Sequence, residues 1–347
     1  MRVFSIRFLC KDGKSCTFVA TFMNLSIGQV KAPIEAELEK FESQFRGSMK
    51  TSVPLLDTIM NYIVKRKGKQ VRPMFVLYSA KLFGEINERT HRGASLVELL
   101  HTATLVHDDV VDESYKRRGV FSINALWKNK IAVLVGDFLL SKGLLLSIEN
   151  KDYDLLEIVS NSVREMSEGE LLQLERARFM DTNEEVYFEI IRKKTASLIA
   201  SCCQIGAAST QPDTAIQEKM RKFGELIGLA FQIRDDLFDF GDNKSGKPAG
   251  IDIKEKKLTL PILYAMAQAG SSETRRMKGI IKSKMPQAEK ISTVLAFIEK
   301  YGGLDYARNK MTALKNEAFE ILESTAPPSE SRNHMKNLIN FVIERNS

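Results

Sequence analysis

Two short acidic runs hold the residues best suited to chemistry in this sequence. The first is His107-Asp108-Asp109-Val110-Val111-Asp112 and the second is Asp235-Asp236-Leu237-Phe238-Asp239. Each sets carboxylates at i, i+1 and i+4, which on a helix project within an arc of roughly 100°. Three carboxylates that close repel one another and weaken the helix unless a cation sits among them. Oxygen donors without sulfur or imidazole select a hard ion, Mg²⁺ first and Mn²⁺ second. One such run alone reads equally well as a solvated acidic face. Two runs of the same spacing, each following apolar residues (Leu105 and Val106; Phe231 and Ile233), point instead to carboxylates lining a cavity.

A carboxylate cage of this kind is completed by an anionic substrate, and basic residues are placed to bind one. Lys69 and Arg72 stand where a glycine loop (Gly68) enters a helix, and Arg117 and Arg118 follow the first cluster just before Gly119. Lys194-Thr195 lies in a helical run, while Lys247 and Lys257 flank the glycines at 246 and 250. Each cation by itself reads as a surface charge; together they offer counter-charge for two strongly anionic groups such as diphosphates. His107-Asp108 has a rival reading as the metal doublet of an HD-type phosphohydrolase, which is also all-α. That chemistry needs further histidine ligands, and only His91, His101 and His334 remain, none beside the second cluster.

The elements that must position these groups read as helices. No proline occurs between Met74 and Gln211, and apolar residues recur at threes and fours in Leu96, Leu99, Leu100, Ala103, Val106 and Val110, and again in Leu226, Leu229, Ala230, Ile233 and Leu237. The expectation is an all-α fold, with loops near Gly68 and at 117–119, 150–154, 212, 241–250 and 326–330. Residues 1–24 lack helical period and include a second methionine, Met23; they are set apart as an extension, leaving 25–347 as one catalytic domain. The 347 residues, 44% hydrophobic and 27% charged, exclude wholesale disorder. A net charge of +7 permits anionic substrates or membrane surfaces, but no nucleic-acid motif accompanies it. Cys10, Cys16, Cys202 and Cys203 have neither disulfide-framework nor zinc spacing and read as reduced thiols. The apolar run 131–148 is interrupted by Asp137 and Lys142 and is expected to fall short of a membrane span. With no credible signal peptide, the expected location is the cytoplasm.

The order of Lys69 and Arg72, His101, Asp108–Asp112 with Arg117 and Arg118, Lys194-Thr195, and Phe231-Gln232 before the second cluster resembles the trans-isoprenyl diphosphate synthases from about residue 55 to 265. The stretch 101–114 is most similar to octaprenyl- and solanesyl-type enzymes. Three departures stand out. Gln70 sits where arginine is common, Glu255-Lys256-Lys257 replaces Glu-Gly-Lys, and Arg234 adds a cation beside the second cluster.

The resemblance implies a helical bundle around a central cavity and a homodimer. It implies Mg²⁺, as three ions, on Asp108, Asp112 and Asp235, with Asp109, Asp236 and Asp239 acting mostly through water. Arg117, Lys194 and Lys257 would bind the allylic diphosphate, with Lys247 a further substrate-binding candidate, and Lys69, Arg72, His101 and Arg118 isopentenyl diphosphate. Dipoles near Lys194, Thr195 and Gln232 would stabilise the passing carbocation. The expected activity is synthesis of a medium- or long-chain product from a farnesyl primer for a quinone side chain, with a short-chain farnesyl or geranylgeranyl synthase as the alternative. Peripheral membrane contact would come through the lipid product. In this family small side chains four or five residues before the first Asp leave the product tunnel open; here they are Thr104 and Ala103. The floor is then expected deeper, at Leu139, Leu140 or Leu144, and Ala103→Phe is expected to shorten the product.

Overall fold

The computed structural model of the chain describes residues 3–9, 15–21, 25–65, 68–117, 119–240, 250–255 and 257–344. Val3–Leu9 (β1) and Ser15–Thr21 (β2) pair antiparallel, with Val3 opposite Thr21 and Leu9 opposite Ser15. The extension is thus a two-stranded ribbon, consistent with the strand preference of its β-branched and aromatic residues.

Helices build the rest. α1 (Ile27–Lys31) starts on a Ser26–Gln29 capping box, and α2 (Glu35–Ser48) and α3 (Pro54–Lys65) follow. The inner layer begins with α4 (Val71–Lys81) and α5 (Glu88–Val111). Asn87 caps α5, accepting from the Thr90 N–H at 3.1 Å. Next come α6 (Ile123–Glu149), kinked at Lys128 (φ 71°), and α7 (Tyr153–Phe179). α8 (Glu184–Ile191) runs through a π-helical turn, Arg192–Ala196, into α9 (Ser197–Thr210), and α10 (Thr214–Asp239) returns alongside. The outer helices are α11 (Ile251–Lys254), α12 (Leu260–Gln268), α13 (Ser271–Lys282), α14 (Gln287–Lys300), α15 (Gly303–Thr325) and α16 (Glu330–Glu344). Helix breaks at 68–70, 150–152, 211–213 and 326–329 fall where the turn residues place them. Residues 241–249 of the expected loop lie outside the described residues.

The main core joins α4, α5, α9 and α10 through residues such as Phe75, Leu77, Leu96, Cys202, Cys203, Phe223 and Ile227. Both cysteines are buried, and burial raises both thiols, Cys203 to about 12, so they serve as packing. α10 comes unusually close to the π turn: a Cβ on Gly228 would lie 2.4 Å from the Ala196 Cα. From the other side, a Cβ on Gly169 of α7 would lie 2.9 Å from the Lys194 nitrogen. The turn that carries Lys194 and Thr195 is therefore gripped between two helices at positions where only glycine fits.

α6 packs along α5, burying Ala132, Val135, Leu139 and Gly143. By length and composition alone it contains an 18-residue stretch apolar enough to cross a membrane, one third of it buried against the rest of the protein. Its other side leaves Leu126, Val133, Leu134, Leu144, Leu145 and Ile148 exposed.

Candidate active site

The two acidic runs occupy equivalent places, the C-terminal ends of α5 and α10. A helix C-terminus carries partial negative charge, and neither last turn contains a basic residue. Three carboxylates there are electrostatically costly, and a cation relieves the cost. In both runs the middle carboxylate turns inward: Asp109 is 6% exposed and Asp236 5%. Asp108 is half-buried and Asp112, the last residue of its run, is exposed. The Asp235 side chain is 42% exposed, and Asp239 is half-buried.

The backbone fixes the first run. The Asp109 carbonyl accepts from the Ser114 N–H at 2.9 Å and from Asn124 Nδ2 of α6 at 2.9 Å. Beyond it, Lys116–Arg117 (β3) pairs with Val120–Phe121 (β4), and Gly119 at φ 77° supplies the turn. Arg117 is thus carried on a tight ribbon one step past the carboxylates. Arg118 and Lys247 lie outside the described residues. His107 points away, with Nε2 3.2 Å from the Val133 carbonyl and 3.5 Å from Asp137 on α6. The room for its ring is made by Gly136, where a Cβ would lie 2.1 Å from Nε2. This imidazole packs between helices, which removes the HD-type reading.

The second run borders a cavity of about 130 Å³ lined by Lys194, Thr195, Tyr187, Gln232, Asp236, Asp252 and Lys257, among others. Here a chain of hydrogen bonds links four side chains. Tyr187 donates to Asp236 Oδ2 at 2.6 Å, Gln232 Nε2 donates to Asp236 Oδ1 at 2.8 Å, and Thr195 donates to Gln232 Oε1 at 2.8 Å. Burial pushes the Asp236 carboxyl up to about 7, against the pull of the two donors. Lys194 pairs with Glu170, and Lys257 with Glu255 at 2.6 Å.

Arg234, the departure beside the second run, is buried between the rings of Phe231 and Phe238 (5.4 and 4.7 Å) and donates to the Val342 carbonyl of α16. It also approaches Asp235 at 3.6 Å, so the same side chain that anchors the C-terminal helix lies beside the cluster. Gln70 is likewise structural: it begins α4 at φ 59° and is held by Lys31 (2.6 Å) and Glu42 (2.9 Å).

Two residues of this site have no place in the sequence reading. Asp252 lies in the lining with its N–H on Asp239 Oδ2 at 3.0 Å, and burial, then the Asp239 charge, raises it to about 6. Its signal was available, because it is the acid between Lys247 and Lys257 just after Gly250. Tyr187, two turns before Lys194, has no such signal.

The structure does not gather everything. Among the described residues no three acidic, histidine or cysteine side chains converge into a preformed metal cage. Nor does the lining of this cavity include the first run, Lys69, Arg72 or His101. Lys69 is exposed at the entry to α4, while Arg72 and the buried His101 sit on the packed pair α4 and α5. Ala103 is fully buried in the cluster with Leu99, Val135 and Leu139, at the α5–α6 crossing, whereas Thr104 is half-buried. Leu144 is 44% exposed on the outer side of α6, so within this chain it is no tunnel floor. Leu139 is buried and Leu140 half-buried.

A helical bundle with carboxylate runs of one spacing at two helix ends, the second joined to a lysine-bearing π turn, is the architecture of an enzyme acting on diphosphates. Residues 53–298 match the polyprenyl synthetase family, and the chain belongs to it. It is a prenyltransferase of the all-α isoprenoid synthase fold. An all-trans-nonaprenyl-diphosphate synthase (geranyl-diphosphate specific) of Rhodobacter capsulatus is 35% identical over 91% of this chain and 97% of its own length. The crystal structure of a polyprenyl synthase from Caulobacter crescentus CB15, complexed with calcium and isoprenyl diphosphate, has a TM-score of 0.82 and 32% identity, covering 94% of this chain and 99% of that one. A geranylgeranyl pyrophosphate synthase from Bacteroides thetaiotaomicron has a TM-score of 0.77 and 37% identity, covering 92% and 99%.

Proposed function

We propose that the chain is a trans-polyprenyl diphosphate synthase that adds isopentenyl diphosphate to an allylic diphosphate, with farnesyl diphosphate as primer, to give a medium- or long-chain product for a quinone side chain. The observation that carries this reading is the pair of three-carboxylate runs, each at a helix C-terminus with no basic residue in its last turn. The donor set fits Mg²⁺, which binds through one or two carboxylates plus substrate phosphates rather than in an all-protein cage. Asp108, Asp112 and Asp235 would hold the ions, three by resemblance, with Asp109, Asp236 and Asp239 behind them. The bound metal supplies charge neutralisation for the departing diphosphate.

The chain's own groups do the rest. Arg117, Lys194 and Lys257 hold the allylic diphosphate. Lys69, Arg72, His101 and Arg118 hold isopentenyl diphosphate so that its double bond faces the ionising carbon. Thr195 and Gln232, already oriented in the cavity lining, present dipoles to the positive charge. No side chain stands out as a dedicated base, and the released diphosphate takes the proton.

The exposed apolar row of α6, with Leu134 at 63% and Leu145 at 49%, suits a homodimer interface. Such an enzyme works in the cytoplasm and touches membrane through its lipid product. Chromatography of the dephosphorylated products made from labelled isopentenyl diphosphate and farnesyl diphosphate tests the reading. Products longer than geranylgeraniol are expected. A stop at geranylgeranyl length, or condensation with geranyl but not farnesyl diphosphate, would establish the short-chain alternative, and no condensation with either primer would overturn the assignment.

A further inference from the structure

The hydrogen-bond chain beside the cavity has a direction, and that direction is set at its buried end. Asp236 accepts on both oxygens, from the Tyr187 hydroxyl and from Gln232 Nε2, so the Gln232 amide is turned with Nε2 toward Asp236 and Oε1 toward Thr195. With Oε1 facing it, the Thr195 hydroxyl spends its proton on Gln232, and its lone pairs are left for the cavity that Thr195 also lines. The position of Asp236 is in turn fixed by Tyr187, the second donor on the same carboxylate, whose ring is 4% exposed and rests edge-on against Phe188 at 5.4 Å. Without the phenol, one carboxylate oxygen is left in a buried site with no donor from α8, and the carboxylate is free to rotate away from Gln232. The amide then has no fixed sense, and a rotated amide would offer Nε2, a donor, to the hydroxyl.

We infer that Tyr187 is a positioning residue for the ionisation step, holding Thr195 through Asp236 and Gln232 with its acceptor side toward the carbon that becomes positive. The inference rests on the proposed prenyl chemistry for its meaning. The chain Tyr187–Asp236–Gln232–Thr195 spans three elements, α8, α10 and the π turn, so the phenol acts at a distance and never touches substrate. A relay of this kind transmits polarity through four fixed partners, each with one remaining choice once the previous one is set.

The test is Tyr187→Phe, which keeps the ring and removes only the hydroxyl. Two readouts separate positioning from packing. The first is kinetic. We expect kcat to fall about 10- to 100-fold with both KM values within about threefold of wild type, because the lost interaction belongs to the charged state and not to the ground state. The second needs no turnover. In the presence of inorganic diphosphate and Mg²⁺, calorimetric binding of an ammonium analogue of the allylic cation should weaken about tenfold, while the uncharged allylic thiodiphosphate binds as to wild type. A double-mutant cycle with Thr195→Val then asks whether the two ends form one unit: the pair should be no worse than the more damaging single change.

If Tyr187→Phe keeps wild-type kcat and analogue binding, or if the two substitutions multiply independently, the relay is overturned. If both analogues weaken equally and the melting temperature drops, Tyr187 is a packing residue only and the inference fails. If wild type makes no prenyl product but the cation analogue still discriminates, the functional reading falls and the relay stands.

Discussion

The ends of α5 and α10 carry the same acidic spacing in different surroundings. At the end of α5 the run opens outward: Asp112 is exposed, Asp108 is half-buried, and the Asp109 carbonyl accepts from Ser114 and Asn124. At the end of α10 the side chains are bound into the protein. Asp236 is engaged by Tyr187 and Gln232, Asp239 accepts from the Asp252 N–H, and Arg234 reaches Asp235 while fastening α16. One spacing thus supports two duties. The first run offers two accessible carboxylates on a helix end, while the second offers Asp235 and uses its neighbours to organise the dipoles of the cavity. Spacing supplies the ligands, and burial selects which of them meet solvent.

The largest effects should come from the outward-facing carboxylates. Asp108→Ala and Asp235→Ala should each lower turnover by roughly three orders of magnitude or more, with the helical circular-dichroism signal unchanged, since both groups work on charge that develops in the transition state. A chelator should abolish activity and added Mg²⁺ or Mn²⁺ restore it. Near-normal turnover in either mutant would break the parallel between the two helix ends.

Next in size is a change of product. Thr104 lies one turn before Asp108 on nearly the same face and is half-buried, whereas Ala103 is fully enclosed at the α5–α6 crossing. Thr104→Phe should therefore shorten the product with turnover of the first condensation kept within about tenfold. Ala103→Phe, against the simpler expectation from sequence, should act chiefly on stability, costing about 1–3 kcal/mol by overpacking. Chain-length analysis of both variants decides; an unchanged product from Thr104→Phe would remove the tunnel from beneath the first run.

A smaller effect should separate the two runs by what supports them. The α5 end leans on α6, whose other face is apolar and exposed, while the α10 end is braced by Tyr187 of α8 and by Arg234 against α16. Leu134→Glu, at a 63% exposed position on that face, should convert a dimer to a monomer in sedimentation at micromolar concentration. Turnover should then fall severalfold through the first run. A wild type that sediments as a fully active monomer would show that α6 has another use.

The helical fold and both acidic runs are legible in the sequence because they depend on local rules: apolar period, proline placement and a repeated i, i+1, i+4 spacing. Lys194 and Thr195 are legible as types, but the π turn that aims them depends on the close approach of Gly169 and Gly228, which no local pattern announces. Tyr187 is hidden for the same reason, since its partner is 49 residues away. Gln70, Arg234 and His107 illustrate the reverse case. Each has a side chain suited to binding chemistry, and each is spent on holding helices together. Asp252 shows the middle ground, an acid visible in its loop whose burial only the fold reveals.

The smallest effect concerns the inward carboxylate of the second run. In the metal-free protein Asp236 is raised from 3.8 to about 7, chiefly by burial. The folded chain therefore holds this proton more tightly than the unfolded chain does. The stability that comes from holding it is fully present below about pH 4 and is lost as pH rises through about 7. Asp236→Asn has no proton to lose, and whatever its amide costs in hydrogen bonding is the same at every pH. The unfolding free energy of wild type relative to this variant, followed in the presence of a chelator, should thus decline between pH 4.5 and 8 by up to a few kcal/mol. Asp252, raised to about 6, titrates in the same window but is present in both proteins, so to first order its contribution cancels in the difference. A difference that stays flat across that range would mean the carboxylate is ionised throughout. The two helix ends would then differ in exposure alone.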